Sequence, residues 1–212
     1  MKKHYIFLLL LCFASWQANA QVRLGYKAGV NYSTAKASTY YGEDIPASGG
    51  TGFHIGAQLR VPFENNLTFL PQMQYAYKNF TLDYNSGDTS SIHMKYHYLE
   101  IPLLLEYNSH VDGRGFFVQF GPSFSVALAG NEEISEKANS VTSQPIKFGF
   151  NAYGRFEANL VANLGYQFSP TMQCTIGYAH GLGSIVDDDF GPYIKPRMFT
   201  ASLHYWMPQK KK

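Results

Sequence analysis

The chain has 212 residues, with 17 Lys and Arg against 15 Asp and Glu, and its aromatic residues (16%) are as frequent as its charged ones (15%). A soluble domain ordinarily carries about 25% charged residues, so this composition argues against an ordinary water-facing surface. A formal charge of +2 leaves no basic excess to hold nucleic acid.

The first twenty residues read as an export signal. Lys2, Lys3 and His4 give a basic start, residues 5–14 are almost wholly apolar, and Ala18-Asn19-Ala20 is a small-x-small cleavage site. The apolar run is shorter than the ~20 residues of a spanning helix. Cys12 follows Leu11, where a lipoprotein site wants a small residue, so cleavage is expected after Ala20. Loss of Lys2 and Lys3 leaves 15 basic residues against 15 acidic ones, three of them the terminal Lys210, Lys211 and Lys212. Cys174 then stands alone, which excludes an intrachain disulfide. The expected organisation is a signal peptide (1–20), a single barrel domain (21–208) and a basic tail (209–212).

From residue 22 onward the hydrophobic period is two. Residues 22–33 set Leu24, Tyr26, Ala28, Val30 and Tyr32 against Arg23, Lys27 and Asn31. Residues 53–63 set Phe53, Ile55, Leu59 and Val61 against His54, Gln58 and Arg60. Residues 67–80 and 92–107 continue with Phe69, Met73, Tyr75 and Tyr77 opposite Gln72, Gln74 and Lys78, then Leu99, Ile101, Leu103 and Leu105 opposite Tyr98, Glu100 and Glu106. In the second half, residues 116–129, 148–168, 172–182 and 198–207 repeat the alternation. Eight segments, most near the ~9–11 residues that cross a bilayer at a tilt, predict an all-β fold: an eight-stranded antiparallel up-and-down transmembrane β-barrel.

Alternation alone does not say which face is inside, because a soluble lipocalin-like barrel would alternate too. Here the polar face is Gly, Ser, Asn, Gln and Thr with few charges, which suits a narrow lumen filled by side chains. The connections 64–66 and 169–171 are tight and 108–115 is modest. Those at 34–52, 130–147 and 183–197 are long, with 83–91 shorter. Short turns on one rim and longer loops on the other are the outer-membrane pattern, with both termini periplasmic. Tyr and Phe near strand ends are expected to form interfacial girdles. Lys95 and His97 break the parity near the outer rim. Pro71, Pro102 and Pro122 fall inside strands, where proline removes a ladder donor, so bulges are expected there.

The same prolines carry a family resemblance. Tyr98-Leu99-Glu100-Ile101-Pro102-Leu103-Leu104-Leu105-Glu106-Tyr107 resembles the signature strand of PorT-like outer-membrane β-barrel proteins of Bacteroidetes-type bacteria. Gly25-Tyr26-Lys27-Ala28-Gly29-Val30-Asn31 is similar to that family's first strand and Leu70-Pro71-Gln72-Met73-Gln74-Tyr75 to its third. Gly121-Pro122 is similar to its fifth, and Gly177-Tyr178-Ala179-His180-Gly181-Leu182 to its seventh. The chain departs from the usual closing aromatic signal, ending Tyr205-Trp206-Met207-Pro208 before the Lys tail. The resemblance implies an outer-membrane barrel without assigned activity, in a family of which some members are linked to secretion machinery.

Candidate chemistry is sparse. Arg23, Lys27, Glu100, Glu106, Arg155 and Glu157 could form a polar lumen network, most simply a structural one, since charges in a narrow barrel must pair or stay hydrated. A ligand or proton-conducting role is the alternative. His180, Ser184 and Asp187 lie around the end of the seventh segment, but no Gly-x-Ser-x-Gly elbow accompanies them and a triad is defined by geometry. Asp187-Asp188-Asp189 lacks the spaced ligands of a Ca²⁺ loop. No zinc spacing or phosphate loop is present, and no cofactor is expected. Residues 130–147, with Glu132, Glu133 and Glu136, are expected to form a short helix or a flexible outer loop and to be the best partner surface.

The function expected is that of a monomeric, non-enzymatic outer-membrane barrel with a structural or interaction role, accessory to secretion or envelope assembly. Its partners would be outer-membrane lipid, the barrel-assembly machinery during insertion, and an envelope or secretion protein docking on the outer loops, with no nucleic acid. A narrow channel or small-ligand transporter is the alternative, and a rim-sited lipid hydrolase a third reading.

Overall fold

A computed structural model describes residues 22–84, 89–109, 114–136, 140–149 and 152–208. The expected signal peptide and basic tail lie outside the described residues. Twelve strands are formed among them: β1 (Arg23–Ser38), β2 (Asp44–Ile45), β3 (Ala47–Pro62), β4 (Leu67–Asp83), β5 (Thr89–Asn108), β6 (Gly115–Glu136), β7 (Val141–Pro145), β8 (Ala152–Tyr153), β9 (Phe156–Gln167), β10 (Met172–Gly181), β11 (Val186–Asp187) and β12 (Tyr193–Trp206). Eight of them close a ring in the order β1-β3-β4-β5-β6-β9-β10-β12, every neighbour antiparallel. The seam pairs β1 with β12 from Gly25↔Trp206 to Ser38↔Tyr193. Closure removes sheet edges from the ring, so backbone groups on its lipid side are paired within the wall. The eight-stranded up-and-down barrel read from the alternation is thus the fold.

The face assignment follows from burial. Val30, Ile55, Phe120, Ile176 and Leu203 are exposed on the outside, while Lys27, Asn31, Gln58, Gln74, Glu100, Gln119, Asn163 and His204 are buried within. On β1 the outward apolar run Leu24 to Tyr32 rises about 20 Å along the axis at a strand rise of ~3.4 Å and the usual tilt. Aromatic rings border it. Phe116 and Tyr166 meet edge to face at 5.0 Å at the short-turn end, and Tyr178 and Phe199 meet at 5.0 Å at the other.

The strands run beyond the segments expected from the alternation, chiefly at the long-loop end, where the two faces exchange character. On β1, Thr34, Lys36 and Ser38 now point outward and Ala35 and Ala37 inward. On β4, Thr81 and Asp83 are outward and Phe80 and Leu82 inward; β5 turns Lys95 and His97 out and Met94, Tyr96 and Tyr98 in. This is the alternation of a water-soluble barrel. Reading only outward apolar residues therefore ends the strands too early, at the plane where water changes sides.

The long connections complete this extramembrane section as a cap. The described parts of 130–147 form strands rather than the expected short helix or flexible loop. β6 continues to Glu136 and β7 folds back on it from Asn131↔Pro145 to Ser135↔Val141. The segment expected to begin at Phe148 instead contributes β8, which pairs with β11 through Val186↔Tyr153 and Asp187↔Ala152, before β9 starts at Phe156. Ile45, Ile146 and Ile185, all from the connections, enter one apolar cluster with Phe80, Leu82, Met94, Tyr96, Tyr98 and Ile194. Burying each such large side chain stabilises by about 1.5–3 kcal/mol, which accounts for ordered connections where loops were expected.

Bulges do not form at the prolines. Pro71 pairs with Leu103, Pro102 with Ser123 and Pro122 with Leu160, and the register is the same on either side of each. Each proline lacks a donor but keeps an extended backbone, so the cost is a local gap in the ladder rather than an inserted residue. Register shifts occur instead between Gly49 and Phe53, Thr89 and Ser91, and His97 and Tyr98. Glycine is needed where large rings turn inward: a Cβ at Gly165 would collide with the Phe117 ring, and one at Gly25 with Trp206.

Ile176, outward near the middle of the band, provides a test of sidedness. Ile176→Arg should cost about 2–4 kcal/mol of stability in lipid vesicles, whereas Thr34→Arg at the boundary should cost about 0–1 kcal/mol, read from urea unfolding of the refolded barrel.

Candidate functional site

The charges of the lumen sort into two clusters, each joining strands from opposite sides of the ring. Nearer the short-turn end, the Arg60 Nη2 on β3 donates to Glu106 Oε1 on β5 at 2.6 Å, to Gln173 Oε1 at 3.0 Å and to Gln167 Oε1 at 3.2 Å. Its guanidinium lies 4.5 Å from the ring of Trp206, which is fully buried inside the barrel. Gln119 Nε2 and Asn108 Nδ2 complete Glu106, at 2.8 and 3.1 Å. Further along the axis, Lys78 Nζ on β4 bridges Glu100 Oε1 on β5 (2.7 Å) and Glu157 Oε1 on β9 (3.0 Å). Glu100 also accepts from Gln74 Nε2 at 2.5 Å, and Glu157 from Asn159 Nδ2 at 2.6 Å.

Between and beside these clusters runs a layer of mostly uncharged polar side chains that also holds Lys27. His204 Nδ1 lies 3.0 Å from Gln58 Oε1, an acceptor, so that nitrogen carries the proton and Nε2 accepts from Thr175 Oγ1 at 3.0 Å. His54 Nε2 meets Ser202 Oγ at 2.8 Å. Lys27 Nζ donates to Gln72 Oε1 at 3.2 Å. The charged side chains buried among the described residues are Lys27, Arg60, Lys78, Glu100, Glu106 and Glu157, three of each sign. Desolvating an ion is costly by several kcal/mol, and the cost is offset only where pairing and hydrogen bonds are nearly complete. Both carboxylate clusters are ion-paired, while Arg60 Nε, Gln74 Oε1, Glu157 Oε2 and Gln173 Nε2 are buried without a hydrogen-bond partner in the protein.

Of the expected network, Lys27, Glu100, Glu106 and Glu157 point into the lumen, while Arg23 and Arg155 do not join them. Arg23 is at the short-turn rim, where its Nη2 donates to Pro170 O at 2.9 Å and Met207 O at 3.4 Å. Arg155 is exposed near the cap, its Nη1 3.5 Å from Ala127 O and its guanidinium 5.2 Å from the Phe148 ring. The cations that bind the carboxylates are Arg60 and Lys78. Both lie on the polar parity of their strands, so their inward direction was readable. Their partners lie on other strands, Glu106 two strands from Arg60, Glu100 on the strand beside Lys78 and Glu157 across the lumen, which spacing along one chain does not reveal.

The interior has little free space. The cavity beside Lys78 and Glu157 measures about 10 Å³, and the one beside Lys27 and Glu100 about 20 Å³. Each holds about one water-sized molecule. Above them the apolar cluster of the cap closes the mouth. There the Tyr153 hydroxyl donates to Glu132 Oε2 at 3.4 Å, and burial followed by the charge of Glu132 raises its pKa.

His180, Ser184 and Asp187 are not assembled. His180 Nδ1 meets the Tyr178 hydroxyl at 3.2 Å, Ser184 Oγ accepts the backbone N–H groups of Val186 and Ile194 at 3.1 Å each, and Asp187 is exposed. Ser184 thus fastens the β10–β12 connection. Asp188 Oδ1 accepts the N–H of Phe190 at 3.0 Å, a turn-forming contact. Among the described residues no group of three His, Cys, Asp or Glu side chains converges as a metal site.

Removing one partner from a buried cluster should be costlier than removing the whole cluster. Lys78→Met alone should destabilise the barrel by about 3–5 kcal/mol by stranding Glu100 and Glu157. Adding Glu100→Gln and Glu157→Gln should restore most of that loss in urea unfolding curves.

No curated protein sequence matches the chain. Solved barrels do. The attachment invasion locus protein Ail of Yersinia pestis, in complex with the heparin analogue sucrose octasulfate, is 12% identical over 87% of this chain and 99% of its own, with a TM-score of 0.46. Neisserial surface protein A is 13% identical over 85% of this chain and 96% of its own, with a TM-score of 0.47. OprG of Pseudomonas aeruginosa is 10% identical over 88% and 96%, with a TM-score of 0.43. Residues 13–187 match the outer membrane protein beta-barrel domain. That match spans most of the sequence and agrees with the closed ring of antiparallel strands: the chain belongs to the outer membrane β-barrel domain family.

Proposed function

We propose that this protein is a non-enzymatic outer-membrane barrel whose role is to anchor and present its cap to an envelope or secretion partner. The observation that carries this reading is the filled interior. Ion-paired clusters occupy the lumen, the cavities beside them hold about 10 and about 20 Å³, and an apolar cluster caps them. Sites for small molecules are usually 300–1,000 Å³, so a narrow-channel or transporter role finds no support in this interior. The hydroxyl of Ser184, engaged by two backbone donors, speaks against a rim hydrolase. The cap, by contrast, displays an aromatic cluster at its tip. Tyr40 stands 5.4 Å from both Tyr41 and Phe190, and the latter two are 89% and 77% exposed. Exposed apolar patches of this kind mark interaction sites.

The finer reading is a PorT-like protein. It is supported by the ordered set of segments around Pro71, Pro102 and Gly121-Pro122, which the fold brings onto three adjacent strands. The export signal ending at Ala20 and periplasmic termini belong to the same proposal, supported by the unequal rims.

The protein reconstituted in planar bilayers should show no steady conductance; stable single-channel steps would refute the anchoring role. Affinity capture from native membranes should retain a protein that is lost with Tyr41→Ser combined with Phe190→Ser. In a Cys174→Ser background, Thr142→Cys on β7 should react with a membrane-impermeant maleimide on intact cells. N-terminal sequencing of the mature protein should begin at Gln21.

A further inference from the structure

One sector of the outer wall, formed by β1, β10 and β12 just above the aromatic row, carries cations without counter-charges. Lys36 on β1 pairs directly with Lys195 on β12, and Arg197 stands opposite both Thr34 on β1 and His180 on β10. All four side chains lie on the outward parity of their strands, shared with Tyr32 on β1, Tyr178 on β10 and Phe199 on β12. Among the described residues no carboxylate lies within 4 Å of Lys36, Lys195, Arg197 or His180. Like charges directly opposite one another weaken a strand pair, and this sector tolerates such a pair at the seam that closes the barrel. The other side of the wall differs, for there the outward Lys95 is paired with Glu133 at 2.5 Å.

The height of the patch suggests what completes it. Tyr32, Tyr178 and Phe199 form the aromatic row that borders the apolar band here. Arg197 is two residues and Lys36 four residues beyond that row, about 5 and about 10 Å along the axis for tilted strands. The headgroup layer adds roughly 5–8 Å to each side of the hydrocarbon, so Arg197 lies within it and Lys36 and Lys195 stand at its outer margin, with long side chains that reach back to it. Directly below the cations, between the rings of Tyr32, Phe53, Tyr77 and Phe199, the small side chain of Ala201 leaves an open apolar furrow of about 660 Å³. Arginine grips phosphate through two donors, lysine acts as a point charge beside it, and a furrow on the lipid side admits an acyl chain.

We propose that this sector binds a net-anionic, phosphate-bearing lipid, its headgroup held by Lys36, Lys195, Arg197 and His180 and one acyl chain lying along Ala201. That the lipid belongs to the outer leaflet rests on the orientation proposed above; the binding itself does not.

The test uses the refolded full barrel released from mixed micelles into a native mass spectrometer, with diphosphoryl lipid A, phosphatidylglycerol or phosphatidylcholine as the added lipid. The wild type should retain lipid A or phosphatidylglycerol at least tenfold more than phosphatidylcholine. Lys36→Gln with Lys195→Gln and Arg197→Gln should abolish that preference, and Lys95→Gln should leave it intact. Equal retention of all three lipids by the wild type, or an unchanged preference in the triple variant, would overturn the proposal. Should the triple variant fail to fold, Arg197→Gln alone must weaken retention and added salt must lower it in the wild type. Binding retained alongside failure of the Thr142→Cys labelling would assign the lipid to the opposite leaflet and reject only the orientation.

Discussion

At any height along this molecule, only one side of the wall can face away from water, and which side it is changes once. Within the bilayer the dry side is outside, so Val30, Ile176 and Leu203 point out and Lys27, Glu100 and His204 point in. Beyond it the dry side is inside, so Phe80, Met94, Tyr96 and Ile194 form a core while Lys36, Lys95 and Thr81 turn outward. A strand has period two, so a phase change needs no bend or bulge. It needs only that the polar and apolar positions trade places. Ring closure makes this inversion tolerable, because a wall without edges has its backbone paired in either solvent.

Both halves of the interior obey the same demand in different materials. Where the walls outside are lipid, the lumen is polar and each buried carboxylate is answered by a cation, Glu106 by Arg60 and Glu100 and Glu157 by Lys78, while Lys27 is held by Gln72. Where the walls outside are wet, apolar packing takes over, and residues such as Ile45, Ile146 and Ile185 are drafted from the connections to fill it. Trp206 mediates at the other end, an apolar ring inside a polar lumen that is covered by the guanidinium of Arg60.

Much of this was legible in the sequence, because the alternation of residues such as Leu24 to Tyr32 against Arg23 to Asn31 is a direct record of the two solvents. Strand number, parity and the inward direction of Lys27, Glu100, Glu106 and Glu157 followed from it. The cap was not legible by the same rule, since Ala35, Ala37, Phe80 and Leu82 look like errors of parity when only one phase is expected. They were the signal that the strands continued. The pairing of the lumen charges was not legible either. Arg60 and Glu106 are separated by an intervening strand, and Lys78 and Glu157 face each other across the barrel, so neither strand spacing nor ladder register joins them. The prolines misled in the opposite direction: a missing donor can be absorbed as a gap in the ladder while the register holds.

The seam between β1 and β12 also bears on how the barrel comes into being. Gly25 and Trp206 meet from opposite ends of the described chain, so joining them closes the longest loop in the wall, and its entropy cost is met only by the contacts of the completed seam. Chains dominated by such distant contacts reach the native state slowly. Until β12 has docked, β1 offers an open edge along its whole length, and an unsheltered strand edge invites pairing with other chains. Closing the seam is therefore also what shields this chain from pairing with its own copies.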